Sequence, residues 1–110
     1  MKLPEDSTIA PEKVSGYLLV KQPLGDKSAF LALAGYLPGN ADQLLRDLKA
    51  QALAADAIPM GTNEFGQMYE VRCDLRGPNG KLLAIRTIWM REHLSGITKF
   101  ITLIPDRRVV

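Results

Sequence analysis

The sequence predicts an α+β domain in which two to three N-terminal helices pack on one face of an antiparallel β-meander of three to four strands. Apolar residues recur at helical spacing in the first half of the chain. The second half changes to an alternation with a period of two, interrupted by turn sequences. A chain of 110 residues that is 46% apolar suits one domain with one core. We therefore expect a single domain over residues 1–106 and a basic C-terminal tail at residues 107–110.

The first predicted helix is short and begins at Pro11, whose missing N–H group is not needed in the first helical turn. Helical spacing would bring three apolar side chains to one side of it: Val14, Tyr17 and Leu18. The segment "QPLG" at residues 22–25 then interrupts the chain. This helix is therefore expected to contact the core through one narrow stripe.

Two further helices have clear start and stop signals. The second begins near Asp26 or Ser28, both good N-caps, and ends at Gly35, which suits a left-handed C-terminal position. The third begins at a capping-box pattern formed by Asn40 and Gln43 and runs to about residue 55. Its apolar stripe consists of Leu44, Leu45, Leu48, Ala52 and Ala55.

Three strands can be located in the second half. The first is "QMYEVRCDLR", whose apolar and polar residues alternate, and the loop "RGPNG" joins it to a second strand at residues 81–91. A third strand at residues 97–104 ends at Pro105. The second strand is apolar on both faces, which is typical of a central strand. Trp89 and Tyr69 are expected to belong to the core.

Arg86 interrupts the second strand and carries the main functional question. Antiparallel pairing through the glycine-rich loop would bring Arg72 beside it on one face of the sheet. Two guanidinium groups repel each other unless an anion lies between them. Glu70, on the same row, would give a structural ion-pair ladder, whereas a bound phosphate would give an anion site. The sequence leaves both interpretations open.

Lys27 also allows both a functional and a purely structural interpretation. It falls in the first turn of the second predicted helix, where a cation is disfavoured by the helix dipole. A lysine at a helix N-terminus is also a suitable arrangement for phosphate. The alternative is an exposed lysine that simply follows its Asp26 cap.

Composition narrows the classes of function. The net charge is +2, but residues 1–60 carry −1 and residues 61–110 carry +3, a weak signal for an anionic ligand. The single Cys73 and single His93 exclude an internal disulfide and argue against a zinc site, so no metal or cofactor is expected. No apolar run or signal core suggests a membrane or export, which makes the cytoplasm the expected compartment.

Several segments form one pattern, which runs from about Leu3 to Pro105 and includes a "YLL" helix and a lysine opening a helix that ends in "GY". It continues through "NADQLL", "EFGQMYEV", "LRGPNGK", "IRTIWM" and "FITLIP". This pattern resembles a bacterial family whose members contain a domain of unknown function and occur as single small proteins and at the ends of larger, toxin-like proteins. The layout is also similar, at the level of fold, to the metal-independent ribonucleases of the barnase, EndoU, colicin D and RelE group.

The resemblance to these ribonucleases implies that RNA binds on the sheet face away from the helices and is cleaved without a metal. It implies roles for the helix-opening Lys27, the central-strand Arg86 and a hydroxyl in the last strand, Thr102. Two positions depart from the pattern. Asp26 stands where a catalytic histidine would precede the lysine, and Thr98-Lys99 stands where family members often have Pro-Arg.

Metal-free RNA cleavage needs a base for the 2′-hydroxyl, an acid for the leaving oxygen and cations for the pentavalent phosphate. Glu70 is a candidate base, and Lys27 could bind phosphate, or transfer a proton if burial lowered its pKa. We therefore predict Lys27, Arg86, Thr102 and Glu70 as catalytic residues, and Lys27, Arg72 and Arg86 as phosphate-binding residues. His93 titrates in a suitable range but lies in the loop "REHLSG", where a histidine is more typically solvated.

Two functions remain open. A toxin-like ribonuclease held by a cognate antitoxin requires Lys27, Arg72, Arg86 and Thr102 to converge in one concave, basic patch. A non-catalytic protein-binding module, of the immunity, antitoxin or adaptor type, predicts ion-paired arginines, an apolar surface patch and no cleft. The candidate partners are therefore RNA, a cognate toxin or antitoxin, and a second copy of the chain joined through an edge strand.

Overall fold

The computed structural model describes residues 1–106 and confirms the α+β class; the predicted tail at residues 107–110 lies outside the described residues. The helices come first in the chain and the strands follow. The helices are α1 (Pro11–Lys13), which continues into a π-helical turn (Val14–Leu18), α2 (Ser28–Ala32) and α3 (Ala41–Leu53), which follows a 3₁₀ turn (Pro38–Asn40). The strands are β1 (Ala57–Thr62), β2 (Gly66–Arg76), β3 (Leu82–Glu92) and β4 (Thr98–Pro105).

The longest helix, α3, packs on β2 through its predicted apolar stripe. Leu44, Leu48 and Ala52 are fully buried there. Burying each leucine contributes about 1.5 to 3 kcal/mol, so this stripe holds the helix on the sheet. The predicted capping box at its start is wrong. The side chain of Asn40 instead accepts a hydrogen bond from the Leu37 amide at 2.7 Å and donates to the Gly35 carbonyl at 2.9 Å, which fixes the preceding turn.

The π-helical turn explains why the first helix does not follow regular helical spacing. Its widened backbone is marked by the Leu19 amide donating to the Val14 carbonyl, five residues earlier, at 3.1 Å. As a result Val14, Leu18 and Leu19 are buried, whereas Tyr17 is only partly covered. Tyr17, predicted to share one side of this helix with Val14 and Leu18, packs against the core but stays partly exposed. Its hydroxyl is therefore available for another role.

The sheet has the order β1-β2-β3-β4 and is antiparallel throughout. Strand β1 was not located from the sequence because Pro59 and Gly61 weaken a strand pattern. Gly61 has a φ angle of 128°, and the β1–β2 register shifts between Pro59 and Gly61. This irregular edge, with a proline that donates no hydrogen bond, is a poor template for pairing with a second copy of the chain.

Each strand of the sheet has one face towards the helices and one open face. The face towards the helices carries the buried side chains Val71, Leu75, Ile85, Thr87, Trp89 and Leu103. Trp89 and Tyr69 are buried, as expected for core residues. On the open face, Arg72 lies opposite Arg86, which confirms the predicted register of β2 and β3.

The edge of β4 is partly covered by the N-terminal segment. The Thr8 amide donates to the Thr98 carbonyl at 2.9 Å, and the Phe100 amide donates to the Thr8 carbonyl at 2.8 Å. This parallel bridge brings the start of α1 alongside β4. Within residues 1–106, no helix combines the length and apolar character needed to cross a membrane.

Replacing Gly77 with alanine is expected to lower the free energy of unfolding by roughly 1 to 3 kcal/mol, the usual cost of overpacking. An added Cβ atom would lie 2.1 Å from the Ala34 carbonyl oxygen, so the β2–β3 loop would have to move away from the end of α2. Urea unfolding measures the loss. Gly39→Ala is the matched control, because a Cβ atom there meets nothing within 4 Å. Equal stability of the two variants would contradict this close packing.

Candidate functional site

A cleft of about 580 Å³ opens between the first helical segment and β4. It contains two of the residues predicted from the sequence, Lys27 and Thr102. The complete lining is Ala10, Glu12, Lys13, Tyr17, Lys27, Ile101, Thr102 and Ile104. Residues that are 75 positions apart in the chain therefore meet at one concave surface.

Tyr17 connects the two predicted residues in this cleft. The Lys27 ammonium donates a hydrogen bond to the Tyr17 hydroxyl at 2.7 Å and lies 5.0 Å from the centre of its ring. The Thr102 hydroxyl, which donates to the Leu103 carbonyl at 3.4 Å, lies close enough to the same phenol to stabilise its ionised form. The hydrogen bond from Lys27 is the main reason that the pKa of Tyr17 is lowered, and the Thr102 hydroxyl adds to the effect, because both stabilise the phenolate. The cleft thus places an ammonium group and two hydroxyls beside one another.

Lys27 does not owe its position to a helix dipole. Helix α2 has five residues, too few for an appreciable macrodipole. Its first turn is stabilised by Asp26, whose carboxylate accepts hydrogen bonds from the Ser28 amide at 3.1 Å and the Ser28 hydroxyl at 2.7 Å. The expectation that a helix N-terminus assists Lys27 in phosphate binding is therefore wrong. Tyr17 orients the Lys27 ammonium group instead.

The open sheet face carries an Arg72–Glu70–Arg86 cluster. The Arg72 Nε atom donates to Glu70 Oε1 at 2.7 Å, while Arg86 donates to Oε2 through Nη2 at 2.6 Å and through Nε at 3.1 Å. The Glu70 side chain is only 4% exposed, against 56% for Arg72 and 31% for Arg86. The ion-pair ladder is therefore formed, and both carboxylate oxygens of Glu70 are occupied.

The charges of this cluster stabilise one another. The hydrogen bonds from Arg86 lower the pKa of Glu70; burial opposes the effect, and Arg72 reinforces it. The pKa of Arg86 is raised, first by its hydrogen bond to Glu70, and the Asp106 carboxylate also contributes. A carboxylate with a lowered pKa is a weak base. This environment favours a holding role for Glu70, in which its carboxylate fixes the position of the arginines and does not accept a proton from a substrate.

The cluster and the cleft form one continuous surface. Arg86 pairs with Ile104, which lines the cleft, and Ile88 pairs with Thr102 in the neighbouring row. Arg72 lies one strand further away. Neighbouring strands are about 4.8 Å apart. Arg86 is therefore close to the cleft, and Arg72 lies one strand beyond Arg86, further from the cleft. Of the predicted residues, Lys27 and Thr102 line the cleft, whereas Arg86 and Arg72 lie outside it on the two neighbouring strands.

His93 lies apart from the cleft. Its backbone amide donates to the Phe65 carbonyl at 2.9 Å, and its Nε2 atom is 3.1 Å from the Asn63 carbonyl oxygen. These contacts join the β1–β2 turn to the β3–β4 turn. Within residues 1–106, no three His, Cys, Asp or Glu side chains form a group that could hold a metal ion.

Sequence reasoning missed Tyr17 and Ile101. Tyr17 carries no signal because regular helical spacing assigns it to the core, and only the π-helical turn redirects it. Ile101 is the extra residue of a bulge in β4: Trp89 pairs with Phe100 and Ile88 with Thr102. Neither irregularity has a signature in the sequence.

The fold and the site define a small α+β domain with a cleft that joins an ammonium group to two hydroxyls beside an open sheet face. The chain belongs to the family described as domain of unknown function (DUF6883), which matches residues 2–107. No curated protein matches it significantly in sequence.

The fold is similar to that of a solved structure. One chain of a contact-dependent growth inhibition toxin–immunity protein complex from Klebsiella pneumoniae 342 matches with a TM-score of 0.62 and 19% sequence identity. The match covers 94% of this chain and 96% of that chain. At this identity the similarity is one of fold.

Proposed function

We propose that the protein is a toxin-like domain that cleaves RNA without a metal, acting in the bacterial cytoplasm and held by a cognate protein. The observation that carries the proposal is the convergence of Lys27, Tyr17 and Thr102 in one cleft, with Arg86 on the adjoining strand. The fold-level similarity to a chain of a toxin–immunity complex supports this setting and is consistent with a cognate protein partner.

The cleft offers groups for the phosphate and for the leaving oxygen. When the 2′-hydroxyl attacks phosphorus, its proton passes to solvent water, the bond to the 5′-oxygen breaks and a cyclic phosphate forms. We assign Lys27 and Thr102 to donate hydrogen bonds to the phosphate oxygens, and Arg86 to stabilise the pentavalent state. We assign Tyr17 to donate its proton to the leaving 5′-oxygen, since a phenol with a lowered pKa is a stronger acid.

Two predicted residues receive supporting roles. Glu70 holds Arg86 on the open face, because both of its oxygens accept guanidinium hydrogen bonds. We assign Arg72, the more exposed arginine, to bind a phosphate further along the RNA. With these roles, the same cluster of side chains serves both as an ion-pair ladder and as a phosphate site.

Lys27→Ala is expected to lower RNA cleavage by roughly a hundredfold or more, the usual effect of removing one electrostatic stabiliser. The purified wild type should cleave RNA in the presence of a chelator, and its induction should arrest bacterial growth. Lys81→Ala is the matched control, because Lys81 is an exposed lysine in the β2–β3 loop. Normal growth and intact RNA with a folded wild type would contradict the proposal.

A non-catalytic protein-binding module is the second candidate, and the ion-paired arginines favour it. Exposed apolar side chains on the β1 side of the molecule also fit such a function. They are Ile58, Met60 and Phe65. If RNA stays intact, binding of a cognate protein that is weakened by Ile58→Asp would support this second function.

A further inference from the structure

The bulge in β4 gives the cleft two unlike walls. In a regular strand, neighbouring residues point to opposite faces of the sheet. Ile101 and Thr102 are neighbours, yet both line the cleft, because the extra residue of the bulge redirects one of them. An apolar side chain and a hydroxyl are thereby presented to the same space.

The apolar wall consists of Ala10, Ile101 and Ile104. The polar residues of the lining are Lys27, Tyr17, Thr102, Lys13 and Glu12, and their two ammonium groups and one carboxylate carry a net charge of +1. The Lys27 ammonium donates a hydrogen bond to the Tyr17 hydroxyl. A ligand that fills this space must offer an apolar surface to one wall and an anion with hydrogen-bonding groups to the other. The cleft volume, about 580 Å³, is within the range of small-ligand sites.

Simpler ligands satisfy only one wall. A free phosphate would contact Lys27 but leave Ile101 and Ile104 uncovered. A purely apolar ligand would cover both isoleucines but remove water from the ammonium without supplying an anion, which is costly. A nucleotide has an apolar base face, polar base edges and a phosphate, and so matches both walls.

We infer that the cleft binds one unstacked nucleotide, with its base against Ile101 and Ile104 and its phosphate at Lys27. Resting on the proposed function, this inference names the substrate class as single-stranded RNA. A base inside a stacked duplex cannot enter a cleft, whereas a base in a loop or at a free end can turn out of the strand. The open sheet face then receives the neighbouring phosphates at Arg86 and Arg72.

The test measures binding of three probes to the folded protein by titration calorimetry: adenosine 3′-monophosphate, adenosine and inorganic phosphate. The mononucleotide should bind about tenfold or more tightly than either part alone, because losing a charged hydrogen bond or a buried apolar contact costs that much. Ile101→Asp should remove most of this advantage. Lys27→Ala should make the mononucleotide and the nucleoside bind equally.

Controls separate the cleft from the rest of the surface. Ile58→Asp also places an acid on an exposed isoleucine, but on the opposite edge strand, and should leave mononucleotide binding unchanged. Ile104→Thr, a milder change in the same wall, replaces Ile101→Asp if that variant does not fold. A short single-stranded oligoribonucleotide should bind more tightly than the same sequence in a duplex.

The outcomes distinguish this inference from the proposed function. RNA cleavage that depends on Lys27, combined with equal binding of phosphate and mononucleotide, would overturn the nucleotide site and leave the function. Mononucleotide binding that depends on Ile101 and Lys27, without any RNA cleavage, would support the site and overturn the catalytic function. Equal binding of single-stranded and duplex RNA would overturn the substrate class.

Discussion

Trp89→Ala is expected to lower the free energy of unfolding by about 3 to 5 kcal/mol, the range for truncating a large buried aromatic residue. Trp89 is fully buried at the centre of the sheet and packs edge-to-face against Phe100, with ring centres 5.4 Å apart. Its indole N–H donates to the Thr87 hydroxyl at 2.8 Å, and that hydroxyl donates to the Val71 carbonyl at 3.0 Å. Truncation removes a packing contact and the first link of this chain.

Urea unfolding followed by circular dichroism gives the loss, since Trp89 is the only tryptophan and its removal abolishes the usual fluorescence signal. Trp89→Phe is the matched variant, because it keeps an aromatic ring against Phe100 while it removes the N–H donor and the smaller part of the indole volume. It should cost clearly less than the alanine variant. A loss below about 1 kcal/mol for Trp89→Ala would contradict the packing described for this core.

The central part of the sheet could be predicted from the sequence because its information is local. The alternation in β2, the "GPNG" turn and the apolar β3 together define the hairpin that places Arg72 opposite Arg86. Strand β1 could not be predicted, since Pro59 and Gly61 are residues that usually interrupt strands. It is stabilised by pairing with β2, which is a tertiary effect.

The cleft could be predicted only in part. The helix start points to Lys27 and the resemblance implies roles for Lys27 and Thr102, but their proximity depends on how α2 and β4 are packed in three dimensions. Tyr17 and Ile101 depend on a π-helical turn and a β-bulge, each of which changes the backbone pattern by one residue. Such irregularities are frequent at functional sites and have no periodic signature.

Glu70→Gln is expected to lower the free energy of unfolding by about 2 to 3 kcal/mol, somewhat less than the typical cost of breaking a fully buried ion pair. The expected cost is smaller than for a fully buried ion pair because the two arginines are partly exposed and stay partly hydrated. The glutamine side chain offers one oxygen to Arg86 or Arg72 and turns its amino group towards the other. Glu64→Gln, an exposed residue in the β1–β2 turn, is the matched control.

The pH dependence gives a second measure of the same interaction. The pKa of Glu70 is lowered in the folded protein from its ordinary value of 4.5, mainly by the hydrogen bonds from Arg86. Its contribution to stability is therefore fully present above pH 4.5 and is lost as the pH falls through the lowered folded-state pKa. The stability difference between the wild type and Glu70→Gln should shrink over that acidic range. A difference that does not change with pH would contradict a charged, paired Glu70.

The same variant separates a holding role from a catalytic one. If Glu70 holds Arg86, Glu70→Gln should weaken RNA cleavage by roughly tenfold or less, because the glutamine oxygen still accepts one guanidinium hydrogen bond. If Glu70 is the base, cleavage should fall by roughly a hundredfold or more, even where the variant remains folded. The holding role has the stronger physical basis, since the Glu70 side chain is only 4% exposed and already accepts three guanidinium hydrogen bonds.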